Sequence, residues 1–588
     1  MALSTPSASP AVVVKEIDLT GGVPNVQSTT GAIVGNFRWG PAETRVLVDN
    51  EATLVETFAS PDSANTIDFH SSVYFLRYSG SLYVTREVTA AAFNARSTTG
   101  QLATDSDGSL PTELIKNEQD WEAQKSALDS DSHTFIGRYP GELGNSLEVS
   151  ILAADSANSI TFTNWTYMSE FDAAPGTSDY ASARNASNDE VHIVVVDKEG
   201  EFTGTKGTIL ERYPFVSVAG DAKNADGTTN YALDIINNRS EYIWMVDWDS
   251  DYKSARGNGV VDNGDDFSVV QSATDKDYVF AKGANSAALT TTEYLSGFDL
   301  YEDKDIVEVD FLIAPSMNSR VDQTTIVNDL ISTAQSLRKD CVVAASPART
   351  DVLGLTSTST MTTNIVTTAN TFTNSSYLVN DGNFLKIYDK YNDQYINIPA
   401  ASSTAGIMAA TDLNRAPWFS PAGSRRGQYL GITSIAYSPT KSQRDTLYKA
   451  SVNPIANIPG QGVLLFGDKT KLGRPSAFDR INVRRLFLVL ERAIGRAAEQ
   501  VMFEFNDEFT RAEFVNIVEP VLREVQGRRG ITDFRVVCDE TNNTPAVVDR
   551  NEFIANIFIK PARSINYVTL NFVAVRTGVD FEEVVGTV

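Results

Sequence analysis

The runs "IVEVDFLIAPS" (residues 306–316) and "CVVAASPARTD" (residues 341–351) both read as strands, and "DQTTIVNDLISTAQSLRKD" (residues 322–340) between them reads as a helix. Strand, helix, strand over this length predicts a parallel βαβ unit, since parallel neighbours need a long crossover. Outward from it, the same texture returns near the start of the chain. "GAIVGNFRWGP" (31–41) is a strand closed by a Gly-Pro turn, "NEATLVETFAS" (50–60) and "DFHSSVYFLRYSG" (68–80) have helical spacing, and "SLYVTREV" (81–88) is a strand. The intervening stretch, about 90–297, is rich in Ser, Thr, Asp, Asn and Gly, with short strands such as "EVHIVVVD" (190–197). The simplest account is one α/β domain with halves 21–90 and 298–465, split by β-rich insertions at a surface loop.

Beyond residue 465 the pattern changes again. "INVRRLFLVLERAIGRAAEQVMFE" (481–504) places Val483, Leu486, Phe487, Leu490, Ile494, Ala497, Ala498 and Val501 on one helical stripe. Arg485, Arg492 and Arg496 lie off that stripe and form a candidate charged face for an acidic partner. A second helix follows, with Thr510 and Glu513 at capping-box spacing, Pro520 as a kink and Gly527 as the stop. The chain then ends in β-prone runs, "FRVVCD" (534–539), "EFIANIFIKPA" (552–562) and "INYVTLNFVAVRTG" (565–578), before the tail "VDFEEVVGTV" (579–588). It also begins with one: in "SPAVVVKEIDLT" (9–20), Val12, Val13 and Val14 have high β propensity, and Ile17 and Leu19 continue the alternation past Glu16 and Asp18. A lone strand needs a partner for its backbone groups, and this one has no obvious neighbour in its own chain.

At 588 residues the chain exceeds one hydrophobic core, and 42% hydrophobic with 10% aromatic residues is globular composition. The net charge of −26 argues against generic binding of nucleic acid or anionic membrane. Residues 411–530 hold 18 Lys+Arg against 12 Asp+Glu, so that stretch is +6 and the remainder −32, an asymmetry suited to self-association. Cys341 and Cys538 are 197 positions apart, which is neither a disulfide framework nor a metal spacing, and they are expected as buried free thiols. No basic leader and no run of 18 apolar residues occurs, so neither secretion nor membrane insertion is expected.

Catalytic chemistry finds no support in the pattern. His70, His133 and His192 lie in three different textures and read as structural histidines. "GVLLFGDKT" (462–470) has phosphate-loop spacing, but Asp468 precedes Lys469 and would repel phosphate, and "VLLF" is strand rather than an open cradle. "DWDSD" (247–251) alternates acids as a calcium loop does, yet Tyr252 stands where the turn glycine belongs and Asn258 where the bidentate Glu belongs. No catalytic, cofactor-binding or metal-binding residue is therefore assigned, and no enzyme activity is expected.

Several stretches together resemble the tail sheath proteins of contractile-tailed bacteriophages. "SPAVVVKEIDLT" with "TGAIVGNFRWGP" is similar to the sheath N-terminus, "FIGRYPGELGNSLEV" to the start of the inserted region, and "VVVDKEGEFTGTKGTILERY" to the large-phage sheaths. "SSTAGIMAATDLNRAPWFSPAG" (402–423) resembles the core signature, and "LYKASVNPIANIPGQGVLLFGDKT" and "RINVRRLFLVLERAI" continue it in the expected order. The resemblance implies an α/β multidomain fold: an N-terminal exchange arm (1–20), a split α/β middle domain (21–90 and 298–465), an outer inserted domain (91–185), a second β-rich inserted domain (186–297), an inner tube-facing helix-plus-sheet domain (466–576) and a C-terminal arm (577–588).

It further implies that the arms add strands to neighbouring subunits. Val12, Val13, Val14, Ile17 and Leu19 would pack in the N-terminal strand. Val568, Leu570 and Phe572, or Phe581 and Val584, would do so at the C-terminus, and the sequence leaves open which C-terminal strand is donated. Implied partners are other copies in stacked hexameric rings, the tail tube protein, and baseplate and tail terminator proteins, with no nucleic acid, no cofactor and no membrane insertion. The implied location is the virion, after assembly in the host cytoplasm. Rival readings are the sheath of a phage-like bacterial injection machine and, in a different class, a secreted surface adhesin, which the missing secretion signal disfavours.

Overall fold

Strand β11 (Phe311–Ile313), the helix Arg320–Ser332 and strand β12 (Val342–Ala345) form the expected parallel crossover, with Phe311 opposite Val342. The computed structural model describes residues 29–98, 113–128, 134–154, 162–248, 252–253, 259–268 and 277–566. Among them the chain forms two compact units, one of 29–417 with 421–491 and one of 418–420 with 492–566.

In the larger unit, β11 pairs on its other side with β1 (Gly31–Gly35), in register Gly31 to Phe311, although the two are 280 positions apart. The six-stranded sheet runs β13 (Leu378–Asn380), β12, β11, β1, β3 (Leu82–Arg86), β2 (Arg45–Val48), all parallel except the edge strand β2. Both faces are covered, as parallel sheets require. Alternation decides which residue faces which layer: Ile33 joins Phe69, Val73, Phe75, Ala405 and Met408 from the helices Thr66–Leu76 and Ala401–Asn414. Ala32 and Val34 join Tyr294, Phe298, Ile326 and Leu330 from Thr291–Asp299 and Arg320–Ser332 on the other side. The helix Thr291–Asp299 thus belongs to this core, so the insertion ends before residue 291 and not at 297 as expected.

The insertion is one antiparallel sheet, not two domains divided at 185/186. Its order is β8 (Thr208–Ser217), β7 (Glu190–Asp197), β6 (Leu147–Ala153), β10 (Asp277–Ala281), β4 (Asn94–Thr98), β5 (Phe135–Pro140), β9 (Ile243–Met245). The anticipated boundary falls between β6 and β7, which pair over their whole length, and β10 closes back onto β4 and β6. Chain entry and exit lie side by side, with Phe93 bridged to Ala284 and the Thr89 amide donating to Ser286 Oγ at 2.9 Å. Arg86, buried at the end of β3, donates to the carbonyls of Phe37 (2.9 Å), Gly40 (2.7 Å) and Pro140 (2.6 Å), tying the parallel sheet to the inserted one. Trp39 makes T-shaped contacts with Tyr139 and Phe202 at the same joint.

The larger unit also holds a three-stranded sheet of β14 (Phe384–Asp389), β15 (Gln394–Pro399) and β16 (Ser434–Ile435), and the hairpin β17 (Ile455–Ile458) with β18 (Gly462–Leu465). The chain passes into the second unit within the helix Ile481–Glu499, between residues 491 and 492. That unit continues with the helix Glu508–Gly527 and the hairpin β19 (Ile531–Val537) with β20 (Asn556–Pro561). The helix starts three residues earlier than the capping box suggested: Asp507 is the cap and its side chain accepts the Thr510 amide at 2.9 Å, leaving Thr510 inside the first turn. A carboxylate at this position also complements the positive end of the helix.

Candidate subunit-joining surface

Strands β19 and β20 pair antiparallel from Ile531–Pro561 to Val537–Asn556, with an irregularity between Ile531 and Asp533. One face of this hairpin is supported by the 508–527 helix, whose Phe514, Val518, Leu522 and Val525 are buried. Phe514 meets Phe553 at 5.4 Å, and the buried Asn543 side chain fixes the chain before β20 by donating to Ile554 O and accepting the Ile554 amide, both at 2.8 Å. A two-stranded sheet is marginal alone, and helix packing supplies what the missing strands do not. Among the described residues neither long edge has a further strand partner. Charges mark this hairpin as exposed, with Lys560 Nζ on Asp533 Oδ2 at 2.9 Å across the strands, and charged residues are the usual guard on an edge. Such an edge offers a row of backbone donors and acceptors to an added strand.

The expected donors fall outside the described residues: Val12, Val13, Val14, Ile17 and Leu19 at one end, and Val568, Leu570, Phe572, Phe581 and Val584 at the other. The basic face is corrected in part. Arg485 is only 3% exposed; it donates to Met408 O (2.8 Å) and to both carboxylate oxygens of Asp412, and lies over the Phe311 ring at 4.9 Å. Its charge is spent inside its own subunit because the first turns of the 481–499 helix are buried on every side. Arg492 and Arg496 are half-buried on the last turns. Sequence reasoning passed over Met502, Phe503 and Phe505, exposed between the two helices, and Phe509, exposed in the first turn of the second. The signal was present: three Phe in seven residues, interrupted by acids and lacking strand or helix periodicity.

The remaining motifs resolve as structure. His192 is buried in β7, its Nε2 donating to Ala173 O (2.8 Å) and its Nδ1 accepting the Phe215 amide (3.1 Å), and burial pulls its pKa down. His70 lies 3.1 Å from Asp389, and burial also lowers it despite that carboxylate. His133 is outside the described residues. In 462–470, Gly462–Leu465 is strand, Asp468 pairs with Arg480 at 2.8 Å, and Lys469 Nζ donates to Tyr448 O at 2.8 Å. Asp247 of the acidic run pairs with Lys253 at 3.6 Å. Cys341 and Cys538 are buried free thiols, and burial pushes Cys538 up, away from the reactive thiolate. No described helix is long and apolar enough to cross a membrane.

Comparison with known proteins gives this architecture a place. Residues 287–471 match the phage tail sheath protein central domain and residues 474–574 the phage tail sheath C-terminal domain. The tail sheath protein of Enterobacteria phage T4 is 31% identical, over 98% of this chain and 99% of its own length. That of Salmonella phage ViI is 32% identical over 99% and 98%. In fold, the crystal structure of the sheath tail protein from Listeria innocua aligns over 92% of this chain and 93% of its own, at TM-score 0.54 and 12% identity. The sheath tail protein from Desulfitobacterium hafniense aligns over 94% and 100%, at TM-score 0.53. The protein is a structural component of a contractile phage tail. It belongs to the tail sheath protein family.

Proposed function

We propose that copies of this chain join by strand exchange into a helical sheath of stacked hexameric rings around a tail tube. The observation that supports this most is the β19–β20 hairpin with its two long edges unpaired by any described strand. The arm of residues 1–20 adds to an edge in one neighbour through Val12–Val14, Ile17 and Leu19. A C-terminal strand, containing either Val568, Leu570 and Phe572 or Phe581 and Val584, adds to an edge in another. Backbone hydrogen bonds supply the affinity, and covering the edges protects them from indiscriminate pairing. Donor and acceptor surfaces differ, so the exchange is heterologous and propagates as a helix.

The extended sheath is metastable, held behind a barrier and by contacts to the tube, with Arg492 and Arg496 as candidates for an acidic partner there or on a neighbouring subunit. A signal from the baseplate releases it, and the arms keep the lattice connected while the globular parts move; contraction drives the tube through the host envelope. The role is mechanical, without nucleotide or catalysis, and the commitment of Lys469 to Tyr448 O supports that reading. Assembly takes place in the host cytoplasm, between baseplate and tail terminator. Electron microscopy of purified protein with tail tubes tests this: long striated tubes are expected, and uniformly monomeric particles in the presence of tubes would overturn it.

A further inference from the structure

The loop after the 481–499 helix, together with the first turn of the 508–527 helix, carries an unusual surface. Met502, Phe503, Phe505 and Phe509 are 57%, 100%, 83% and 76% exposed, a cluster of large apolar groups whose contact with water is unfavourable. Phe503 sits at φ +70°, a left-handed conformation disfavoured for a residue with a Cβ, which the chain adopts here with the ring turned outward. The loop is nevertheless held: Asn506 Nδ2 donates to Glu552 O at 2.8 Å, Arg511 Nη1 to Asn506 Oδ1 at 3.1 Å, and Asp507 caps the following helix. Acids, Glu504, Asp507 and Glu508, stand between the rings. At the far end of the 508–527 helix, roughly 30 Å away at 1.5 Å per residue, Arg523, Arg528 and Arg529 are exposed, Arg523 paired with Glu519 at 2.8 Å and Arg528 with Glu524 at 3.4 Å, surface pairs that a partner's carboxylates can exchange with at little cost. The helix dipole favours this polarity anyway, so the charges alone would mark nothing. The exposed ring cluster at the acidic pole is what distinguishes it.

We propose that this aromatic knuckle is a second joint of the polymer, seated on the arginine pole of the same unit in another copy. Guanidinium groups can cover aromatic faces while pairing with the flanking carboxylates, so one pole satisfies both features of the other. Because the two poles differ, the contact is heterologous and compatible with helical growth. The inference rests on the reading that the chain polymerises, and not on strand exchange.

The test is polymerisation of full-length variants followed by sedimentation. Phe503→Ser with Phe505→Ser is expected to leave monomer melting unchanged, because both rings are exposed, and to raise the critical concentration about tenfold or more, as loss of aromatic anchors does. Glu504→Arg with Glu508→Arg is expected to weaken assembly similarly, and adding Arg523→Glu with Arg529→Glu in the same chain to restore it. Polymerisation of the double-Ser variant at the wild-type concentration, or absence of restoration by the charge exchange, overturns the proposal. So does a double-Ser variant that polymerises normally and loses only its attachment to tubes, which would assign the knuckle to the tube. A chain lacking residues 1–20 is run in parallel: if it still polymerises, the strand-exchange reading fails while the knuckle is judged by its own variants.

Discussion

Asp412 and Arg485 show why one residue can be assigned opposite roles from a helical stripe and from a packed structure. Arg485 is off the apolar stripe, yet it is enclosed and its guanidinium answered by Asp412 and Met408 O. Removing one partner strands the other charge in the interior, so Arg485→Ala should cost about 3–5 kcal/mol of subunit stability. Chemical denaturation of the monomer checks this; a loss of assembly without a loss of stability would return Arg485 to the surface. The second residue-scale case is Asp381, buried and accepting from Ser346 Oγ (2.8 Å) and Thr404 Oγ1 (3.1 Å), with its pKa pushed by burial up to about 7. A carboxyl whose folded pKa is raised holds its proton in the folded state where the unfolded chain has lost it. Its stabilising contribution is therefore full below about pH 4 and declines as pH rises to about 7. Compared with Asp381→Asn, wild type should gain up to about 1.4 kcal/mol per unit as pH falls from 7 to 5. Using the difference removes His70 and His192, whose lowered pKa values act in the opposite sense. Parallel stability profiles would show that Asp381 does not titrate in this window.

At the scale of the element, the β-prone run "SPAVVVKEIDLT" is proposed as an exchanged strand, and Val13→Pro is the sharpest probe of that proposal. If the Val13 amide pairs in an intersubunit ladder, proline removes a donor at about 1–3 kcal/mol per broken pairing. Sedimentation should then show tubes giving way to monomers whose melting is unaltered; an altered monomer melt would place the strand in its own subunit. Which elements could be read in advance follows from where their information lies. The β11–helix–β12 crossover was legible because both strands are contiguous apolar runs and their pairing is local. The β1–β11 pairing was reachable only through the shared α/β texture on either side of the insertion. The single inserted sheet was not legible, because the pairing of β10 with β4 and β6 depends on registers between short strands far apart in the chain. Thr510 and Glu513 had the right spacing for a cap in which Thr510 would accept the Glu513 amide, but Asp507 caps the helix one turn earlier by accepting the Thr510 amide. The edges of β19 and β20, unpaired among the described residues, could be read in advance only indirectly, from charges such as Asp533 and Lys560 on the hairpin.

In the whole molecule, the inserted sheet enters and leaves the larger unit at one point, where Phe93 is bridged to Ala284. The proximity of Phe93 to Ala284 means that a short Gly/Ser linker replacing residues 94–283 closes a small loop at little entropic cost. The shortened protein should keep the six-stranded sheet, with some loss from the Arg86–Pro140 contact, and should still form tubes; failure to polymerise in a variant that melts cooperatively would give the insertion a role in the lattice. The central claim is that the terminal arm belongs to a neighbour's sheet, and deletion of residues 1–20 addresses it most directly. Sedimentation and thermal melting of the truncated and full-length proteins, side by side, are the measurement. The account predicts a truncated subunit that is soluble, melts as the intact monomer does and forms no tubes; a truncated monomer that melts much lower, or one that still assembles, would contradict it.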